Sequence, residues 1–294
     1  MRLFLLFLFP IFFSISNENP IDWKTNMTLD QGDFYLLKSY ELKGKVKSAK
    51  LFMDRYESNE KNIDLNNTSA VLSNYKGKLH SQYFFNVNRL LTKEIIFQIP
   101  EGRIFGESDY TYDKNQNLIQ IRDKNRGFGR RFKYDTQNRR IEKSYFSGNE
   151  TFEIHSFYYN VENPSELLKT LKSKAREHYV CFVQYDETNR QIAIKKHFLD
   201  PAVQFHQEDS IKYTKDSYFS ETLSRSKKDG YSNIFKARYT YDENNNIISH
   251  VKDDHKEYKD TYVFDKKGNW ILKIETNDRD NYVSVWKREI IYYP

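Results

Sequence analysis

A short motif, aromatic-x-aromatic-Asp, recurs through most of this chain. Its clearest copies end at Asp113, Asp135, Asp186, Asp242 and Asp265, and each is followed within four residues by Asn or Gly and then by a new apolar alternation. Weaker copies end near positions 86, 160 and 216, which makes eight copies at intervals of about 25 residues. Self-similarity at such a period indicates an architecture of stacked repeats.

Each copy has the pattern of a β-hairpin. Side chains alternate between the two faces of a strand, so the two aromatic residues of a copy share one face. An Asp side chain accepts hydrogen bonds from backbone N–H groups two or three residues further on, and it therefore begins a turn. Asn or Gly near the end of the turn adopts the positive φ that short hairpin loops require.

Hairpins that stack in sequence predict an all-β fold: antiparallel hairpins forming a long meander sheet, twisted or coiled, with an aromatic face and a charged face. The pattern leaves open whether the sheet stays open, forms a spiral or closes. One helix is expected near 164–175, because Asn163 and Pro164 form a start signal ahead of an amphipathic Leu-containing segment.

The first 16 residues have the pattern of a signal peptide. Arg2 precedes an apolar stretch, Leu3 to Phe13, and small residues at 14 and 16 suit cleavage before Asn17. The predicted division is a signal peptide at 1–16, a β-rich cap with the first strands at 17–79, and the repeat domain at 80–294. We therefore expect an exported protein, located in the periplasm, at the cell surface or outside the cell, with no transmembrane segment after cleavage.

Two copies carry a family resemblance. The run from Tyr239 through Asp242 to Ile248 resembles the YD repeat of the RHS family, and Tyr262 to Trp270 resembles a variant found in exported proteins of Bacteroidetes-type bacteria. Family members build β-strand spirals, which form shells around toxins or belong to surface-associated binding proteins. The resemblance therefore implies a strand-repeat architecture in an exported protein. Asn replaces most of the turn glycines here, and no separate effector domain follows the repeats.

The chemistry-bearing residues form no recognised catalytic motif, so we expect no enzyme activity and no cofactor. The turn Asp242-x-Asn244-x-Asn246, with Asp253 further on, has oxygen ligands at calcium-loop spacing, but Ile247 stands where calcium loops need Gly. We predict that Asp113, Asp135, Asp186, Asp242 and Asp265 are structural turn residues and that no metal is bound. Gly127-Phe128-Gly129 lies among arginines and predicts a basic turn, with a phosphate-binding nest as the alternative.

The aromatic repeat face is the predicted binding surface, because Tyr combines an apolar ring with a polar tip and the chain holds 23 Tyr. Its candidate residues are Tyr110, Tyr112, Phe132, Tyr134, Tyr185, Tyr239, Tyr241, Tyr262, Phe264 and Trp270. The function expected is a non-catalytic binding or scaffold module of the cell envelope or surface that holds a glycan or a protein partner. Export and 41 acidic residues against 47 basic ones argue against nucleic acid as a partner. A polysaccharide-acting enzyme and an outer-membrane-associated β protein are the alternatives.

Overall fold

The computed structural model describes residues 42–57, 67–159, 166–173, 179–185, 191–198, 205–213, 217–226, 232–242, 247–252, 256–277 and 282–294. Three features expected from the sequence lie outside these residues: the signal peptide, the turn at Asp186, and the segment 243–246 that follows Asp242.

Strands dominate the described residues. They are β1 (Val46–Glu57), β2 (Lys78–Phe85), β3 (Leu91–Gln98), β4 (Arg103–Tyr112), β5 (Leu118–Asp123), β6 (Phe128–Tyr134), β7 (Arg140–Ser147), β8 (Glu150–Tyr159), β9 (Glu166–Ser173), β10 (Tyr179–Tyr185), β11 (Gln191–Phe198), β12 (Phe205–Tyr213), β13 (Ser217–Ser226), β14 (Ser232–Tyr241), β15 (Ile247–Lys252), β16 (Lys256–Phe264), β17 (Trp270–Asn277) and β18 (Tyr282–Tyr292). A single short helix, α1 (Thr68–Asn74), lies between β1 and β2 within the described part of the chain.

The strands form one 18-stranded antiparallel sheet. Strands that follow each other in the chain are paired throughout, from β1 with β2 to β17 with β18, which confirms the all-β meander. The first and last strands are also partners, because Ala49 of β1 is opposite Ile290 of β18 and this register continues to Glu57 and Tyr282. The last strand therefore covers the edge of the first, as protection against edge-to-edge association requires.

A backbone irregularity repeats with the sequence motif. The pairing register shifts immediately before the last aromatic residue of a copy in six hairpins, at Phe85, Tyr112, Tyr134, Tyr185, Tyr241 and Phe264. Such a shift is a β-bulge, which bends a strand and increases its twist. The repeat read from the sequence is therefore a repeat of backbone geometry.

The helix expected near 164–175 is wrong, because Glu166–Ser173 forms strand β9. Strand β9 pairs on one side with β8, where Leu167 is opposite Tyr159, and on the other side with β10, where Leu167 is opposite Val183. A helix here would leave the facing edges of both neighbours without partners. Backbone pairing on two sides therefore outweighs the local helix signal.

The sequence pattern did not predict helix α1. Its N-cap is Asn67, whose side chain accepts a hydrogen bond from the Ala70 N–H at 3.0 Å. Val71 and Tyr75 pack from the helix onto the sheet face opposite the aromatic face, and the Tyr75 hydroxyl donates to the Val285 carbonyl at 2.8 Å. Within the described residues, no helix is long and apolar enough to cross a membrane.

Two cores lie on opposite faces of the sheet. The first core follows the turn-side ends of β1 to β6 on the aromatic face and comprises Leu42, Val46, Ala49, Tyr83, Phe85, Leu91, Tyr110, Leu118 and Phe132. The second core lies under α1 and comprises Val71, Tyr75, Leu272, Ile274, Val283 and Val285. The first core thus contains repeat aromatics, whereas the second is mainly aliphatic, with Tyr75 as its aromatic member.

Candidate binding surface

The repeat turns have one shared geometry. In the turn at Asp113 the Asp N–H donates to the Asn117 carbonyl at 2.9 Å, and the Gln116 N–H donates to the Asp113 carbonyl at 3.0 Å. The turns at Asp135, Asp265 and Asn86 repeat both bonds. The third residue after the Asp or Asn takes positive φ, as at Gln116 (65°) and Asn138 (59°). This is a type I turn followed by a left-handed bulge residue.

The Asp carboxylate organises each of these turns. Asp113 Oδ1 accepts from the N–H groups of Asn115 and Asn117, both at 2.8 Å. Asp135 and Asp265 make the same pair of bonds to the second and fourth residues after them. The Asn86 side chain does so too, at 3.0 Å each. Asp242 ends β14, and the residues that would complete its turn lie outside the described chain.

The carboxylate of Asp135 also contacts Arg139, whose Nε lies 2.7 Å from Oδ2. Burial raises the pKa of Asp135, but hydrogen bonds from the Arg139 backbone and side chain and from the Gln137 N–H outweigh it and leave the pKa below its usual range. A lowered pKa means that the ionised carboxylate is favoured by folding.

Asp135→Ala is expected to lower the free energy of unfolding by about 1–3 kcal/mol, because two backbone N–H groups lose their acceptor. Asp135→Asn should retain most of the stability at neutral pH, since Asn86 makes the same turn without a charge. The carboxylate's contribution is present above the unfolded pKa of about 4 and is lost as the pH falls through the lower folded pKa. Urea unfolding at pH 7 and pH 3 tests this: the gap between wild type and Asp135→Asn should narrow at pH 3, and an unchanged gap would contradict it.

The second aromatic residue of a copy links neighbouring strands. The Tyr112 hydroxyl donates to the Leu91 carbonyl at 2.8 Å, and the Tyr134 hydroxyl donates to the Leu118 carbonyl at 2.9 Å. Tyr159 makes the equivalent bond to the Arg140 carbonyl at 2.9 Å. In each case the acceptor is the first residue of the adjacent strand. These hydroxyls therefore belong to the scaffold, and the rings of Tyr112 and Tyr134 pack against the first core.

The predicted binding residues divide into four groups. Tyr110 and Phe132 are buried, and the Tyr110 hydroxyl donates to Glu94 at 2.8 Å. Tyr112 and Tyr134 are half-buried and bonded as above. Tyr185, Tyr239 and Tyr241 lie in β10 and β14, and only their backbone is described. The fourth group, Tyr262, Phe264 and Trp270, is half-buried, with the Tyr262 ring centroid 6.0 Å from that of Phe264 and 6.4 Å from that of Trp270.

Tyr262 and Trp270 of this fourth group belong to a larger surface, here called the tryptophan patch: Tyr262, Trp270, Lys273, Trp286 and Arg288. The cross-strand register builds it, because Lys273 of β17 is opposite Tyr262 of β16 on one side and Trp286 of β18 on the other. The Arg288 guanidinium lies 3.5 Å from the Trp270 ring centroid, and Lys273 Nζ lies 5.0 Å from that of Trp286. All five side chains are partly exposed.

Two carboxylates adjoin the patch through Lys273. Its Nζ lies 2.9 Å from Asp260 Oδ2 and 3.7 Å from Glu275 Oε2. The Tyr262 hydroxyl donates to the same Asp260 oxygen at 3.3 Å. Burial raises the pKa of the Asp260 carboxyl above its usual range, although Lys273 and the Tyr262 hydroxyl lower it in part. The patch thus combines flat apolar rings with donors and acceptors of both charges.

The sequence predicted only part of this surface. Tyr262 and Trp270 were found through the repeat motif, whereas Asp260, Lys273, Trp286 and Arg288 were missed. The sequence signal for these residues is the alternation of side chains along each strand. It places Lys273 and Glu275 on the same face of β17, and Trp286 and Arg288 on the same face of β18. Among the described residues, no group of three or more His, Cys, Asp and Glu side chains is arranged to hold a metal ion.

No protein-family model matches the chain, and neither does any curated protein. Among solved structures, a porin-like protein from Bacteroides uniformis ATCC 8492 is similar over 85% of this chain and 98% of that chain, at 9% identity and a TM-score of 0.37. TcdB2-TccC3-TEV is similar over 69% of this chain and 13% of that chain, at 8% identity and a TM-score of 0.32. TcdB2-TccC3-Cdc42 is similar over 72% of this chain and 15% of that chain, at 9% identity and a TM-score of 0.25. These TM-scores are too low to assign an activity or a relationship.

Proposed function

We propose that this chain is a non-catalytic, exported binding module that holds a glycan on the tryptophan patch. One observation carries the proposal: three half-buried aromatic rings, those of Tyr262, Trp270 and Trp286, stand among charged side chains on three adjacent strands. A sugar ring offers apolar C–H faces and a rim of hydroxyl groups. A surface that pairs partly exposed aromatic rings with charged donors and acceptors matches both.

The scaffold supports a binding role. Sites on strands are held more precisely than sites on loops, and the patch lies within β16, β17 and β18. Beneath β17 and β18, on the other face, lies the second core, with Leu272 and Val285 fully buried. The repeat aromatics on β4 and β6 instead pack into the first core, so we propose that Tyr110 and Phe132 stabilise the fold and do not contact the ligand. Export rests on the sequence of residues 1–16 and forms part of this proposal.

The proposal predicts binding to polysaccharide that persists in high salt and depends on Trp286. The exported protein is incubated with insoluble polysaccharides and cell-wall material at about 0.15 M and about 1 M salt, where the Debye length falls from roughly 8 to 3 Å. Ring stacking survives such screening, so wild-type binding should change little. Trp286→Ala should weaken binding about tenfold.

The matched control is Phe105→Ala, because Phe105 is an aromatic residue of β4 that is 52% exposed and lies outside the patch. This control should bind like the wild type. Binding that disappears at 1 M salt would instead indicate an anionic polymer held by charge alone. Absence of binding to every material at both salt concentrations would overturn the glycan proposal. A protein partner would then be the hypothesis to test.

A polysaccharide-acting enzyme is the second candidate, favoured by the two carboxylates near Lys273. Glycosidases use a pair of carboxylates, one of them with a raised pKa, and the pKa of Asp260 is raised. We favour binding because Lys273 lies against both carboxylates and forms an ion pair with each of them. Release of reducing ends from a bound polysaccharide by the wild-type protein would establish the enzyme instead.

A further inference from the structure

Asp260 stands out within the sheet because its carboxylate is buried beside an exposed patch. The side chain is 1% exposed, and its Oδ2 atom receives both described contacts, from Lys273 and Tyr262. Its Oδ1 atom is buried and has no hydrogen-bond partner among the described residues. Lys273, a member of the patch whose side chain is 18% exposed, contacts Asp260, so the carboxylate lies directly against the patch.

An unsatisfied buried acceptor of this kind is costly. Leaving a buried polar group without a partner destabilises the folded state, and a charged group does so more strongly. Buried polar atoms in folded proteins almost always have a protein or water partner. A bound molecule that donates a hydrogen bond to Oδ1 would recover this cost, and the recovery would contribute to its affinity.

The charges around Asp260 select the kind of donor. The patch and its neighbours hold two carboxylates, Asp260 and Glu275, and two cations, Lys273 and Arg288. An ammonium group on a ligand would compete with Lys273 for Asp260, and a ligand carboxylate would meet Asp260 and Glu275. A neutral hydroxyl group satisfies Oδ1 and disturbs neither ion pair.

We propose that Asp260 Oδ1 accepts a hydrogen bond from a hydroxyl group of a neutral saccharide whose ring rests on the tryptophan patch. This inference rests on the proposed function and narrows it to the class of ligand. Lys273 positions the carboxylate through Oδ2, and the Tyr262 hydroxyl supports the same oxygen at 3.3 Å. Oδ1 is therefore left as the ligand's acceptor.

The test compares three classes of soluble polysaccharide: neutral β-glucan and arabinoxylan, cationic chitosan, and anionic polygalacturonate. Affinity is measured by calorimetry for the wild type, Asp260→Asn and Trp286→Ala. The matched control is Asp109→Asn, since Asp109 also pairs with a lysine, Lys124 Nζ at 3.0 Å, but lies in β4 outside the patch. We expect binding to a neutral polysaccharide, a loss of at least tenfold in Asp260→Asn, and no change in Asp109→Asn.

The outcomes separate this inference from the function on which it rests. Neutral-polysaccharide binding that is lost in Trp286→Ala but unchanged in Asp260→Asn would overturn the role of Asp260 and leave the proposed function standing. Binding only to chitosan or only to polygalacturonate would overturn the neutral class. Binding to none of the three classes would overturn both. Melting temperatures of all variants establish that they fold, and Asp260→Ser replaces Asp260→Asn if the latter does not.

Discussion

Leu272→Ala is expected to lower the free energy of unfolding by about 2–5 kcal/mol, the cost of truncating a buried leucine in a core that relaxes only partly. The Leu272 side chain is fully buried in β17 and packs in the second core with Ile274 and Val285. Among the residues that the structure describes, the short helix α1 covers this side of the sheet through Val71, with Tyr75 directly after it. A cavity here would therefore weaken the contact between helix and sheet as well as the core itself.

Chemical denaturation monitored by circular dichroism measures this effect. The control is Ile291→Ala in β18, because Ile291 is a large aliphatic residue that is 56% exposed, and its truncation should change stability by less than about 0.5 kcal/mol. Equal losses in the two variants would contradict the assignment of Leu272 to a core. The Leu272 variant should still bind polysaccharide under native conditions, because its side chain points away from the patch.

The turn chemistry could be predicted from sequence because it is local. An Asp or Asn, a run of turn residues and a new apolar alternation lie within one segment, and the observed turns at Asp113, Asp135 and Asp265 use the backbone bonds that such a segment offers. The residue with positive φ was less predictable. In two turns this residue is Asn138 or Gly268, as expected, but in two others it is Gln116 or Arg89. The hairpin geometry requires positive φ at this position whatever the side chain there prefers.

The predicted helix position was wrong because distant contacts, and not the local sequence, determine the structure there. The segment after Asn163 has a local helix signal but becomes β9, because β8 and β10 offer it partners on both sides. The seven-residue helix α1 has a weak signal, and it persists because Val71 and Tyr75 find the second core. A helix of this length is marginal by itself, so its packing partner, which lies more than 200 residues away, determines it.

The binding surface was predicted only in part because it depends on register. Tyr262 and Trp270 belong to a motif, but the partners Lys273 and Trp286 are defined by which residues stand opposite each other across two strand pairs. A shift of one residue would move all of them to the other face. Sequence patterns also do not tell a core aromatic from a surface one, and Tyr110 and Tyr262 have the same motif position but different burial.

Gly129→Ala is expected to destabilise the protein by about 3 kcal/mol, at the upper end of the cost of overpacking. Gly129 of β6 is opposite Phe146 of β7, and the Phe146 ring lies over it. A Cβ atom at this position would stand 2.3 Å from Phe146 Cζ and 2.4 Å from the Ile121 carbonyl oxygen. The Arg131 guanidinium lies 4.1 Å from the Phe146 ring centroid and further limits where the ring can move.

Backbone conformation and packing therefore explain the two glycines of the Gly-Phe-Gly segment. Gly127 takes positive φ (67°) in the turn before β6. Gly129 leaves room for the Phe146 ring to lie against the backbone, as glycines covered by an aromatic side chain do in sheets. Gly106→Ala is the matched control, because a Cβ there meets only Asp123 Oδ2 at 3.7 Å, and it should be neutral or stabilise by up to about 1 kcal/mol. The double variant Gly129→Ala with Phe146→Leu separates the two clashes in the same denaturation experiment. We expect the double variant to regain part of the lost stability, because the smaller side chain removes the ring contact while the Ile121 carbonyl contact remains. A complete return to wild-type stability would show that the backbone clash costs nothing. A Gly129→Ala variant as stable as Gly106→Ala would contradict the packing of Phe146 on Gly129.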